Sequence, residues 1–185
     1  MATWLLPTTI TVEGVQYPIC TDFRDIFDVL EILADDNFSV NHRFGMALEV
    51  FLEDIDSLPP EHVNEACEQM AYFLNCGSAE LGDNSTPIRR MDWEQDALLI
   101  VTDINKVAGY DVRGVEYLHW WTFMALFGGI GEGRLSTVVS IREKLRRGKP
   151  LDEEERRFYR ENRATVDLKT KYTASDEELL NQFLI

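Results

Sequence analysis

The sequence has few cysteines, almost no basic residues in its first half, and no long apolar run. Cys20, Cys67 and Cys76 are odd in number and widely spaced, with no CxxC pair. That excludes a disulfide framework and a paired-cysteine metal site, and predicts a reducing compartment. The longest apolar stretch, around Trp120 to Phe127, is far below the roughly 20 residues a bilayer requires, so no membrane span is expected. The opening "MATWLLPTTI" has no basic leader, and Pro7 closely follows its short apolar patch; this predicts that no signal peptide is removed. Basic residues are nearly missing from residues 1–85, where 16 acids face only Arg24 and Arg43, a net of −14. Residues 86–185 hold 17 acids and 16 bases, a net of −1. The acidity of the first half argues against nucleic acid as its partner, and is compatible with plain solubility or with a basic protein segment as partner.

Motifs with chemistry attached are also missing. His42, His62 and His119 are scattered and HExxH is absent, so no metal is expected. There is no GxSxG, and Ser136 and Ser140 lie within a helical pattern. The run "GGIGEG" after Phe127 lacks GxGxxG spacing and any GK[ST], and it follows a helix-forming stretch rather than a strand. It is therefore read as an elbow ending one helix near Gly128 or Gly129 and letting the next, from about Arg134, fold back on it. Asp92, Asp96 and Asp103 fall near one helix face, whereas paired catalytic acids normally come from a cleft built by several elements. No enzymatic activity and no cofactor are expected.

What is present is helical periodicity. A chain of 185 residues with 45% hydrophobic content suits one core. "TTITVEGVQYPI" alternates around Glu13 and Gly14, which predicts a β-hairpin within residues 1–20. Residues 21–185 are read as a helical domain interrupted by a loop at 78–90. "DFRDIFDVLEILAD" places Phe23, Ile26, Phe27, Leu30 and Leu33 on one stripe, with Asp25, Asp28 and Asp35 opposite and Ile32 among those acids. The next helix carries Phe44, Leu48, Phe51 and Leu52; Pro59 and Pro60 then open another, which Gly77 closes. Asp92 is read as an N-cap and Gly109 as a C-cap. "GVEYLHWWTFMALFGG" is apolar on nearly every side, which predicts a buried helix from about Gly114 to Phe127 with Trp120 or Trp121 deep inside. Helices from Arg134 and from Asp152 follow, and a last one carries the capping box Ser175–Glu178. The fold class is mainly α: a single-domain bundle of about seven helices with a short N-terminal hairpin.

Between Arg134 and Arg163 there are ten Lys and Arg residues. Three readings of this cluster stay open. One is a solvated face of helix-surface pairs such as Glu153 with Arg157. Another is a protein-binding face that meets the acidic half of another copy, and the third is a nucleic-acid footprint over 142–163.

The stretch "DWEQDALLIVTDINKVAGYDV...EYLHWWTFMALFGGI", followed by "SIREKL" and "PLDEEERRFYRENR", resembles the gene product fifteen family of small tailed-phage proteins. The likeness spans roughly Asp22 to Leu168, including "DFRDIFDVLEIL". It implies a tail-morphogenesis protein in the cytoplasm of a bacterial host, similar to tail assembly chaperones. Such chaperones keep the tape measure protein soluble until tail-tube subunits polymerise around it. A structural tail component or a nucleic-acid-binding phage protein is the alternative. The family carries no catalytic residues to transfer, and Trp93, Asp96, Trp120, Trp121, Phe123 and Phe127 read as fold-holding core. The candidate protein-binding residues are Asp25, Asp28, Ile32 and Asp35 on the acidic side, and Arg142, Arg146 and Arg147 on the basic side. A phage tail protein, the tape measure first, is the expected partner, ahead of self-association and of nucleic acid.

Overall fold

The computed structural model describes residues 4–78 and 90–169. The expected loop lies almost wholly outside them, as does the Ser175–Glu178 capping box. The described chain is mainly helical, with two strands and eight α-helices. It divides into two compact units: residues 4–78 with 116–124, and residues 90–115 with 125–169.

The first unit opens with strands β1 (Thr9–Val12) and β2 (Val15–Pro18), paired antiparallel with Val12 opposite Val15. Glu13 and Gly14 join them, both at positive φ (47° and 79°), as a two-residue I′ turn requires. Three helices follow: α1 (Phe23–Leu33), α2 (Val40–Phe51) and α3 (Val63–Leu74). Asp22 caps α1 and Ser39 caps α2. Two short 3-10 turns, Ile55–Ser57 and Pro60–His62, lead into α3. The expected stripe of α1 points inward, with Phe23, Ile26 and Val29 buried. Asp35 departs from its expected place: α1 ends at Leu33, and the Asp35 carboxylate instead accepts from the Asn37 backbone N–H at 2.9 Å in the following turn.

Helix α5 (Trp120–Gly128) starts six residues later than the apolar pattern predicts. Within the first unit, residues 117–119 run alongside the entry to α1. Phe23 N–H donates to Leu118 C=O at 3.0 Å, Leu118 N–H to the Asp22 carboxylate at 2.9 Å, and Trp120 N–H to Thr21 C=O at 2.7 Å. Backbone groups committed to strand-like pairing are not free to close a helical turn. His119 then caps α5, because its Nδ1 accepts from Trp121 N–H at 3.0 Å. Trp120 is 2% exposed, while Trp121 is half-buried. The Phe23 and Phe123 rings stack 4.8 Å apart, and Phe27 meets both Phe123 and Trp120 edge-on.

In the second unit, α4 (Ala97–Ala108) begins later than expected, because Asp92 caps a turn rather than the helix itself. Its carboxylate accepts from Glu94 and Gln95 N–H at 3.1 and 2.7 Å. Gly109 ends α4 in the left-handed conformation, as expected. A 3-10 turn covers Val112–Gly114. Helices α6 (Arg134–Arg146), α7 (Glu153–Glu161) and α8 (Arg163–Val166) complete the unit. Asp152 and Glu155 form a capping box at the expected start of α7. After the glycine elbow, α6 packs against α4 and α8. Val138, Ile141 and Val166 are fully buried, with Leu99, Leu151 and Phe158 packed around them. Trp93 and Phe127 are half-buried, their rings 5.1 Å apart.

Candidate functional site

The three aspartates considered as paired acids are each engaged structurally. Asp96 is wholly buried and forms a bidentate pair with Arg142, at 2.6 and 2.8 Å. Asp103, 2% exposed, accepts from Leu135 N–H at 3.0 Å and from the Lys106 ammonium at 2.6 Å. It thereby places a negative charge at the N-terminus of α6, where the helix dipole favours it. Asp92 caps its turn. Among the described residues, no group of three His, Cys, Asp or Glu side chains is disposed to hold a metal ion. Burial pushes the thiols of Cys20, Cys67 and Cys76 upward, so none is poised as a reactive thiolate.

His119 is 3% exposed, and its surroundings define the role of each ring nitrogen. Nδ1 faces a backbone N–H, which only donates, and Nε2 faces Pro7 C=O at 2.9 Å, which only accepts. Nδ1 thus accepts and Nε2 donates, and the ring ties the N-terminal segment to the start of α5.

The two candidate binding faces fare differently. On α1, Asp28 is exposed, while Asp25 and Ile32 are half-buried. Burial, followed by the charges of Asp22 and Asp28, raises the Asp25 carboxyl above its ordinary range. Arg24 turns to Asp22 at 2.9 Å, and Arg43 is engaged by Leu33 C=O and Asp36. On the basic side, Arg142 is a correction. It is not on an open face: besides Asp96 it donates to the carbonyls of Val166, Thr165 and Arg90, at 2.7, 2.8 and 3.2 Å. Arg146 and Arg147 remain about half exposed and both reach Glu143, at 2.9 and 2.5 Å. The Arg146 hydrogen bond, reinforced by Arg147, draws the Glu143 carboxyl down to about 2. Further along, Lys144 pairs with Glu155 at 2.5 Å and Arg163 with Asp167 at 3.0 Å. Among the described residues these pairs, rather than Glu153 with Arg157, take up part of the basic cluster.

Sequence reading missed the interior polar network, although a signal for it exists. Asp96 and Asp103 sit in register with Ile100 and Ile104, so charge falls on an inward stripe. A charge there needs an internal partner, and Arg142 and the α6 N-terminus supply one each.

The fold, its late-starting aromatic helix and its internal Asp96–Arg142 pair can be set beside known proteins. The profile of a family described as "Bacteriophage Gp15 protein" matches residues 3–168. The chain belongs to this bacteriophage family. The matched span takes in the hairpin and all eight helices, including the Asp96–Arg142 pair and the tryptophans of α5. No curated protein and no solved structure matches this Gp15-family chain. Among its described residues no helix is long and apolar enough to cross a membrane.

Proposed function

We propose that this bacteriophage-family chain acts without catalysis in tail morphogenesis, binding an aggregation-prone tail protein, the tape measure first, and holding it soluble without joining the mature tail. The observation that carries the reading is the unbalanced acidity of residues 1–85, net −14, in a chain of this family. A strongly charged binder keeps a complex soluble, and its acids speed encounter with a basic client. The α1 face adds an apolar contact at Ile32 between Asp28 and the helix end. The nucleic-acid alternative loses Arg142, which is internal.

Co-expression with the tape measure protein tests the reading. A soluble complex that survives gel filtration at low salt is the expected result. Equal solubility of the tape measure with and without this chain, and no complex, would overturn it.

A further inference from the structure

We propose that the arginine groove between α6 and α8 receives the acidic, aliphatic face of α1 from a second copy of the chain, so that the protein self-associates. Both faces carry charge that their own unit leaves uncompensated, and the signs are opposite.

On the basic side, Arg90, Arg146 and Arg147 converge on the single carboxylate of Glu143, at 3.5, 2.9 and 2.5 Å. Three guanidiniums against one carboxylate leave a surplus of two positive charges. Their side chains are 51%, 43% and 49% exposed, whereas Glu143 is 21% exposed, so the surplus faces solvent. Arg90 and Arg146 border a groove of about 260 Å³ that Leu145, Val166 and Leu168 also line. Asp167, the other acid lining it, is already held by Arg163 and Tyr159. Across residues 134–163, ten bases stand against six acids, a net of +4.

On the acidic side, the basic residues that could neutralise α1 locally are turned to Asp22 and Asp36. Asp25 and Asp28 are one turn apart, and Ile32 lies one further turn along the same stripe. Leu145, 39% exposed in the middle of the arginines, is the counterpart of Ile32 among the aspartates. An aliphatic contact ringed by opposite charges is the anatomy of a modest, specific interface. Because the two faces are different surfaces, each copy supplies one side of the contact and receives the other. The inference stands without the client-binding reading, although a client on α1 would compete with the second copy.

Sedimentation velocity on the full chain tests it at about 0.15 M and about 1 M NaCl, where charges are screened beyond roughly 8 and 3 Å. Concentration-dependent association at the lower salt and its loss at the higher are expected. Arg146→Glu with Arg147→Glu, and separately Asp25→Lys with Asp28→Lys, should each weaken association by about tenfold, with unchanged circular dichroism. Mixing the two double variants sets the intact α1 face of the arginine variant against the intact groove of the aspartate variant, and the Glu-bearing groove against the Lys-bearing α1. It should therefore restore association, with the two variants present in equal proportion. A wild-type chain monomeric at both salts would overturn the proposal, as would association indifferent to both double variants. Retention of duplex DNA by the wild type, lost in the arginine variant and without self-association, would assign the groove to nucleic acid instead.

Discussion

At the scale of single residues, two side-chain arrangements decide what the second unit tolerates. Gly133 is extended rather than left-handed (φ −170°), so its requirement for glycine is purely spatial. A Cβ there would lie 2.5 Å from the Asp103 carboxylate, which is fixed by Leu135 N–H and Lys106. Gly133→Ala should therefore destabilise by about 1–3 kcal/mol, the usual cost of overpacking. In an Asp103→Ala background the same change should cost much less. Chemical denaturation of the four-variant cycle checks this, and an unchanged cost in both backgrounds would remove the steric explanation. Arg142 is the second case. Arg142→Met strands the wholly buried Asp96 carboxylate, a change that costs about 3–5 kcal/mol when one partner of a buried pair is removed. Adding Asp96→Leu should recover only part of this. Three backbone carbonyls, of Arg90, Thr165 and Val166, lose their donor either way, and unsatisfied buried acceptors carry their own penalty. Full recovery in the double variant would show that those carbonyl bonds contribute nothing.

At the scale of elements, α5 does more than bury apolar area. The indole N–H groups of Trp120 and Trp121 donate to Leu74 C=O and Phe73 C=O, at 3.1 and 2.9 Å. These carbonyls belong to the last turn of α3, where intrahelical donors run out; Phe73 C=O accepts from Cys76 N–H at 3.0 Å as well. One helix thus caps another through side chains adjacent in sequence. Trp120→Ala should cost about 3–5 kcal/mol, as deletion of a buried aromatic does. Trp121→Phe, at a half-buried site, should lose little beyond one hydrogen bond, about 0.5–1.5 kcal/mol. Thermal melts rank the two, and an equal loss would mean that burial does not set the scale. The period of the sequence is enough to find each of these helices, because an inward stripe such as Phe23, Ile26 and Val29 is a local pattern. Glycine and proline likewise mark the ends at Gly77 and Gly109. The start of α5 is not readable in that way. Its apolar run extends back to Val115, and what stops the helix is the pairing of 117–119 with residues 21–23, a contact between segments about 96 positions apart. The cross-chain partners of Asp96, Asp103 and the indoles are illegible for the same reason. Sequence displays a charge on an inward stripe, but only the fold determines which group meets it.

At the scale of the whole molecule, charge is distributed unevenly enough to make the two units respond differently to solvent. The first 85 residues carry 16 acids and 2 bases, so compaction there works against self-repulsion. The second half is nearly neutral, and its ion pairs are mostly exposed, as Arg113–Asp111 and Arg163–Asp167 are; such pairs contribute little and are screened by salt. Repulsion should therefore outweigh attraction in the sum. The pH response has a definite sign. Asp25 has a folded-state pKa raised above its unfolded value, so the native state takes up a proton more readily, and stability rises as pH falls through that raised value. Glu143 runs the other way: with its carboxyl drawn down to about 2, its contribution is complete above the ordinary Glu value of about 4.3 and is lost as pH falls towards 2. Above the ordinary Glu value of about 4.3 only the first effect operates. Differential scanning calorimetry should show the melting transition of the acidic unit moving upward as NaCl rises from about 0.02 to 0.3 M, which shortens the screening length from above 20 Å to below 8 Å. The same transition should move upward as pH falls through the raised Asp25 value, whereas that of the second unit, which holds Glu143, should move downward as pH falls from about 4 towards 2. The transition of the second unit should barely respond to salt. Melting temperatures that fall steadily with added NaCl at pH 7 would mean that attraction between charges, and not the repulsion among the acids of residues 1–85, governs the stability of this chain.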